Sequence, residues 1–468
     1  MPIPVITVDE MRSWEAATWS AGILEAAVID QVGQAIANWL LPRTRSSDSI
    51  LVVAGRGHNG DDGRTAAKYL VERQPSIIEI SDPAADIRHL EEALTRHPTV
   101  ILDCLFGIGI NRDLSPQWSA IVDRINRSPA TMIAIDVPSG LNAQTGRPMG
   151  SCIEADYTLT VGAAKSGMLA PSAQPFVGYI RVLHDVGLTG LPARHEILFS
   201  QSDDFRHVPP PRRARDHKGN FGRLAIGAGS VGYHGAAVLA GRGAMRAQPG
   251  LITLSTAPDC YFPVAAQLQQ VMVNSFGKDW QPHPKSSALL FGPGLAAPNL
   301  PSFLVDTLTD YWRMADFPVL VDASGLDWLP RGDTHTDYPR VITPHLGEAA
   351  RLLDRHPRDV NENRVESLRE LSAQFGGCWV VLKGAHSLVG RHQGPVFVNA
   401  TGNPGLAQGG SGDVLAGFLA GLIAQPRCQA DIETTLRLGV WKHGEAADQL
   451  QWERNNWTIE DLPQAIHT

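Results

Sequence analysis

Short apolar runs that pass straight into glycine- or aspartate-rich words recur along this chain, and the repetition limits its fold more than any other feature. Residues 50–54 lead into Gly55-Arg56-Gly57-His58-Asn59-Gly60-Asp61-Asp62-Gly63, residues 100–102 into Asp103 and Phe106-Gly107-Ile108-Gly109, and residues 131–135 into Asp136-Val137-Pro138-Ser139-Gly140. Later, residues 223–226 lead into Gly227-Ala228-Gly229-Ser230-Val231-Gly232 and 288–291 into Gly292-Pro293-Gly294-Leu295. Residues 341–343 lead into Pro344-His345-Leu346-Gly347-Glu348, and 379–382 into Lys383-Gly384-Ala385-His386-Ser387. Runs of this length, with those at 76–80, 158–161, 251–255 and 319–321, predict buried strands, and most are separated by helical stretches. Such alternation predicts an α/β protein whose parallel sheets carry helices on both faces. The loops after the strands then gather on one edge, where sites form.

The chain holds 468 residues, 43% of them apolar, enough for two or three domains at about 150 residues each. Two helices are expected within residues 8–41, with Gly22 and Gly33 as interruptions. Periodicity fades between residues 187 and 215, where Pro209-Pro210-Pro211 precedes Arg212, Arg213 and Arg215. The boundary is therefore set near residue 202, giving domains 1–201 and 202–468.

Asn403 to Gly410 form a glycine-rich loop that opens a helix near Ser411 to Asp413. Val414, Leu415, Phe418, Leu419, Leu422 and Ile423 recur at helical spacing, while Ala416, Gly417, Ala420 and Gly421 allow a neighbouring backbone to come close. The first amides of this helix lack intrahelical partners and make a bed for a phosphoryl group. Asp413 beside that bed is either a helix cap or a base that takes a proton from a substrate hydroxyl. His443, Glu445 and Asp448 share a later helical stretch, where a solvated face is expected for at least two of them.

Gly55-x-Gly57-x-x-Gly60 has dinucleotide-turn spacing, and Glu79 stands where a ribose-binding acid belongs. Asp61 and Asp62 oppose that reading, because carboxylates at the helix start repel a pyrophosphate; with amide oxygens they suit a hard cation. No Gly-x-x-x-x-Gly-Lys-Ser/Thr word occurs, so a P-loop NTPase is excluded. Five scattered cysteines without a Cys-x-x-Cys pair predict core packing, and a net charge of -8 argues against nucleic acid. No apolar run reaches the roughly 18 residues that span a membrane, and Met-Pro-Ile-Pro lacks the features of a signal peptide, so the cytoplasm is the expected compartment.

Residues 212 to 450 resemble the NAD(P)H-hydrate dehydratases of the ribokinase-like superfamily. The words that carry the likeness are His217-Lys218-Gly219, the Gly294, His345 and Lys383 motifs quoted above, and the glycine-rich run before Asp413. The N-terminal half resembles the NAD(P)H-hydrate epimerases, in which the first loop usually reads Asn-Asn-Gly-Gly-Asp-Gly. Here His58 replaces the first Asn and Asp61 a Gly, and Val28-Ile29-Asp30-Gln31-Val32-Gly33 stands where relatives tend to show Leu-Met-Glu-x-Ala-Gly.

The resemblance implies an N-terminal Rossmann-like three-layer sandwich and a C-terminal ribokinase-like α/β domain. It implies potassium at Asn59, Asp103 and Ser139, with catalytic Asp136. Hydrate would bind near His58, Asn59, Gly60, Asp61 and Asp62, and near Gly107, Ile108, Gly109, Ile110, Asn111, Arg112 and Asp113. In the second half it implies hydrate at Gly294 and His345, nucleotide at Lys383, Gly384, Ala385, His386, Ser387 and Gly412, and catalytic Asp413. The implied substrates are NADHX and NADPHX, the hydrates of NADH and NADPH, with ADP and Mg2+ for dehydration and a homo-oligomer as the assembly. The alternative is a small-molecule kinase with a non-catalytic N-terminal binding domain.

Overall fold

The computed structural model describes residues 1–190, 195–278, 280–298, 300–454 and 456–467. Two compact units emerge, Ile3–His195 and Glu196–Thr468, the latter joined by Met1–Pro2. The division falls six residues before the boundary expected from sequence. The strand Ile197–Phe199 lies just beyond it and pairs in parallel with Val396–Val398 of the second unit.

The first unit is built on six parallel strands: β1 (Ile50–Ala54), β2 (Ser76–Glu79), β3 (Val100–Cys104), β4 (Thr131–Ile135), β5 (Tyr157–Val161) and β6 (Tyr179–Leu183). Their order is β2-β1-β3-β4-β5-β6, with Val53 opposite Asp103 and Asp103 opposite Ala134. The central strands are buried on both faces, which is why they read as unbroken apolar runs. On one face Val52 and Leu102 pack with Val28, Val32 and Ile36 of helix α1 (Glu25–Leu40) and Ala66 of helix α2 (His58–Tyr69). On the other, Val53 and Ile101 meet Ile121, Val122 and Ile125 of helix α3 (Pro116–Asn126). Gly33 does not break α1. A Cβ there would stand 2.6 Å from Thr65 Cγ2, so this glycine lets α1 and α2 touch.

The second unit orders ten strands around one sheet. They are β7 (Ile197–Phe199), β8 (Arg223–Gly227), β9 (Leu251–Thr256), β10 (Met272–Ser275), β11 (Ala288–Phe291), β12 (Val319–Val321), β13 (Arg340–Ile342), β14 (Trp379–Leu382), β15 (Leu388–Gly390) and β16 (Val396–Val398). The order is β7-β16-β15-β14-β13-β12-β11-β8-β9-β10, parallel except where β15 pairs with β14 and β16. Strands β6, β7, β10, β15 and β16 escape the apolar-run criterion. Most are three or four residues long, and β10 is largely exposed at an edge.

Helix α4 (His234–Arg246) and helix α5 (Ser411–Ile423) cover this sheet back to back. Their contact is backbone on backbone: a Cβ at Gly417 would fall 1.9 Å from Ala240 O, and one at Gly243 would fall 2.2 Å from Val414 O. Neither oxygen can move without breaking its helix. Gly417→Ala should therefore cost about 3 kcal/mol of stability in urea unfolding. Gly235→Ala, on the same α4 but with nothing within 4 Å of the added atom, should be neutral or slightly stabilising.

Candidate active sites

In the first unit the loops after β1, β3 and β4 wall a cleft of about 600 Å3. The turn into α2 is tight, because a Cβ at Gly60 would stand 2.0 Å from Gly55 O. It places His58, Asn59 and Asp62 on the cleft, while Asp61 turns away to Arg64 at 2.8 Å. Arg64 also donates to Gly55 O and stands 3.6 Å from Glu79, so the acid after β2 serves an ion pair. Exposed His58 lies 2.8 Å from Glu25. Gly107, Ile108, Gly109 and Ile110 line the cleft, whereas Asn111, Arg112 and Asp113 are exposed outside its lining.

Asn59, Asp103 and Ser139 converge on the peptide of Phe106. Asn59 Nδ2 donates to Phe106 O at 2.8 Å, and Phe106 N donates to Ser139 Oγ at 2.9 Å. Ser139 in turn donates its hydroxyl (2.6 Å) and its amide (2.8 Å) to the fully buried Asp103. Burial lifts the Asp103 carboxyl to about 6 against the pull of those hydrogen bonds. Among the described residues, the buried Asn59 Oδ1 has no hydrogen-bond partner.

Asp136 carries a left-handed backbone, φ 64, and its Oδ1 accepts from Lys165 Nζ at 2.5 Å. Lys165 is completely buried and also donates to Thr160 Oγ1 and Val161 O. Asp136 Oδ2 would meet a Gly107 Cβ at 3.2 Å, so it looks into the cleft. Asp62 and Glu15 face the same space. Burial first, then the Asp136 carboxylate, raises both, and Asp62 stands well above the usual carboxylate range. Sequence reading missed Lys165 and Glu15, although Lys165 does follow a strand.

In the second unit the loops after β8, β11, β12, β13 and β14 meet the start of α5. Asp322, directly after β12, is buried, and its Oδ1 accepts from Thr343 Oγ1 at 2.7 Å and Lys383 Nζ at 2.8 Å. Lys383 Nζ also stands 3.8 Å from Glu348 Oε2, and a Cβ at Gly412 would lie 3.0 Å from it. Burial opposes the Lys383 charge, yet the Asp322 and Glu348 carboxylates outweigh it and raise its pKa. Asp413, in the first turn of α5, is pushed up to about 7 by burial, then by Asp322, with Lys383 opposing. Asp413 makes no side-chain cap of α5; that place belongs to Gly410, at φ 98.

His345 caps the helix Leu346–Leu353, its Nδ1 accepting from Gly347 N and Glu348 N while Glu348 accepts from His345 N. Gly294, at φ 65, packs under Tyr233 O, and Ser230 Oγ donates to its carbonyl at 2.6 Å. Ala385, His386 and Ser387 continue the loop from Lys383 through Gly384. The solvated face expected for two of His443, Glu445 and Asp448 is a correction, since only Glu445 is exposed. His443 is buried, held down to about 4 by burial, and bonds Ser411 O at 3.1 Å. Asp448 accepts from Gly402 N and Asn403 Nδ2, fixing the glycine-rich loop.

A mainly parallel sheet with a glycine-rich loop and a carboxylate at a helix start defines a ribokinase-like unit. The same fold is found in a ribokinase-like superfamily protein of Enterococcus faecalis, 24% identical, TM-score 0.50, over 59% of this chain and 96% of that one. The model described as NAD(P)H-hydrate dehydratase matches residues 224–468, and that described as YjeF-related protein N-terminus matches 78–167. The chain is 36% identical over 360 residues to the bifunctional NAD(P)H-hydrate repair enzyme Nnr of Vibrio cholerae, covering 75% of this chain and 70% of that one. With its Escherichia coli counterpart it shares 30% over 428 residues, covering 86% and 80%. The ADP/ATP-dependent NAD(P)H-hydrate dehydratase from Bacillus subtilis, co-crystallized with ATP/Mg2+, is 30% identical, TM-score 0.50, over 55% of this chain and 91% of that one. The chain belongs to the family of bifunctional NAD(P)H-hydrate repair enzymes.

Lys165 and Asp136 form a buried pair whose rupture strands a charge. Lys165→Met should destabilise the first unit by about 3 kcal/mol in urea unfolding, and adding Asp136→Asn should recover part of that loss.

Proposed function

We propose that the chain repairs hydrated nicotinamide dinucleotides in two steps. The first domain, assigned to residues 1–201, interconverts the R and S hydrates of NADH and NADPH; the second, residues 202–468, returns the S hydrate to NAD(P)H with ADP as phosphoryl donor. The observation that carries this reading is the Asp413 carboxyl, raised to about 7 beside Gly412 and the Lys383–Asp322 pair. A base of that strength exchanges protons readily near neutral pH. Hydroxide leaves poorly, so the hydrate's hydroxyl gives its proton to Asp413 as its oxygen bonds to the terminal phosphorus of ADP and AMP leaves; the C–O bond then breaks to release phosphate while the neighbouring ring carbon gives up a proton, which forms the double bond. The α5 amides hold the transferred group, and Lys383 with the Gly384 to Ser387 loop orients the donor. Gly294 and His345 are assigned to the hydrate. The Asp322 and Glu348 carboxylates fit a hard divalent cation beside those phosphates, and Mg2+ there would neutralise their charge.

For the first domain, Asp136 is assigned to proton transfer at the hydrate's carbinol, with Asn59, Asp62 and residues 107 to 110 positioning the ring. Lys165 holds the Asp136 carboxylate in place. Potassium is the proposed ion. The orphaned Asn59 Oδ1 beside Asp103 and Ser139 fits a cation that seeks oxygen, and its charge would favour binding of the phosphates of the dinucleotide.

Asp413→Asn should lower NAD(P)H recovery by about a hundredfold, read as absorbance with mixed hydrates, ADP and Mg2+. The folded carboxyl binds its proton more tightly than the unfolded one, so ionisation costs stability as pH rises through about 7, and the variant should melt no lower than the parent at pH 8. The wild-type rate should fall as pH drops below about 7, following protonation of the base. A wild-type rate from Asp413→Asn would remove the catalytic assignment.

Exchange of potassium for sodium should slow epimerisation while leaving dehydration of the S hydrate unaltered, checked by following the two epimers separately. Equal epimerisation in both salts would argue against a potassium site.

A further inference from the structure

We propose that Arg364 is a positioning residue that aims the amides of His386 and Ser387 at the nucleotide phosphates, an inference that rests on the nucleotide assignment above. Its placement is costly in isolation. Arg364 opens the helix Arg364–Gln374, putting a cation at the positive end of the helix dipole. Its Nε is buried with no hydrogen-bond partner among the described residues. Burial lowers its pKa to about 10, with no neighbouring carboxylate contributing.

Its two terminal nitrogens explain the arrangement. Nη1 donates to Ala385 O at 2.6 Å, and Nη2 donates to His386 O at 3.1 Å. Both peptides are trans, and in a trans peptide the C=O and N–H point in opposite directions. Drawing these two carbonyls onto one guanidinium therefore aims the amides of His386 and Ser387 away from Arg364. The loop is bent to permit this, with His386 at φ 52 and Gly384 at φ 154, and Ser387 Oγ closes it on Gly384 O at 2.9 Å. A planar fork can hold two carbonyls at once, which an ammonium cannot do in the same geometry. Among the described residues no carboxylate pairs with this guanidinium, and a phosphate on the far side of the loop is the natural counter-charge.

The test compares ligands with and without phosphate. Full-length wild type, Arg364→Gln and Arg364→Lys are titrated calorimetrically with ADP and Mg2+, and with adenosine, and assayed for dehydration. Arg364→Gln should weaken ADP by about tenfold or more and raise its KM more than it lowers kcat, with adenosine affinity changed by less than about twofold. Arg364→Lys, keeping charge but losing the fork, should fall between. Equal losses for ADP and adenosine would mean a structural role and overturn the proposal, as would unchanged ADP affinity in Arg364→Gln. Should wild type itself bind no ADP, or bind it undiminished by Lys383→Met, the nucleotide assignment fails and takes this inference with it.

Discussion

Helix α5 is held against α4 by backbone touching backbone, and the placement of the glycine-rich turn that opens α5 depends on that contact. Side chains at Gly417, Gly243 or Gly421 would drive the two helices apart. With the helices in contact, the first turn of α5 sits at the carboxyl edge of the sheet. Gly412 then comes under Lys383, and Asp413 comes within the field of Asp322 and Glu348. His443 and Asp448, on the following helix Ile432–Glu453, tie down Ser411 O and the 402–403 turn. The chemistry proposed for Asp413 thus depends on glycines about one and two turns further along α5.

The two units solve a similar electrostatic problem with similar parts. Each sets an aspartate just after a parallel strand against a lysine, Asp136 with the fully buried Lys165 and Asp322 with the half-buried Lys383. The lysine fixes its partner's orientation by a direct hydrogen bond. The nearby acids, Asp62 and Glu15 in one cleft and Asp413 in the other, have no such ion pair and are driven toward their protonated forms. Burial beside a carboxylate that is already paired is thus what raises the second acid in each cleft.

Much of this was legible beforehand, for physical reasons. Buried parallel strands announce themselves as apolar runs, and the residue after each run must lie at the carboxyl edge, which is how Asp103, Asp136 and Lys383 were found; the start of α5 was legible from its glycine-rich loop and the helical spacing that follows. Glycines spaced along α5 betrayed the close helix contact. What stayed hidden depends on neighbours remote in sequence. Lys165 looks like any surface cation until Asp136, 29 residues earlier, is folded against it, and Arg364 carries no motif at all. Residues 111–113 continue a motif in sequence, yet the chain has already turned outward there. The short strands β7, β10, β15 and β16 are too brief or too exposed to leave a pattern.

The backbone at Asp136 sits in a region that glycine enters freely and an aspartate enters at some cost. Backbone conformation alone would favour glycine there, yet loss of this carboxylate would take away the counter-ion of a fully buried lysine. Lys165, left fully enclosed without its counter-ion, would come under pressure to follow. The two positions are therefore bound to change together, because a substitution at either one leaves the other without its partner.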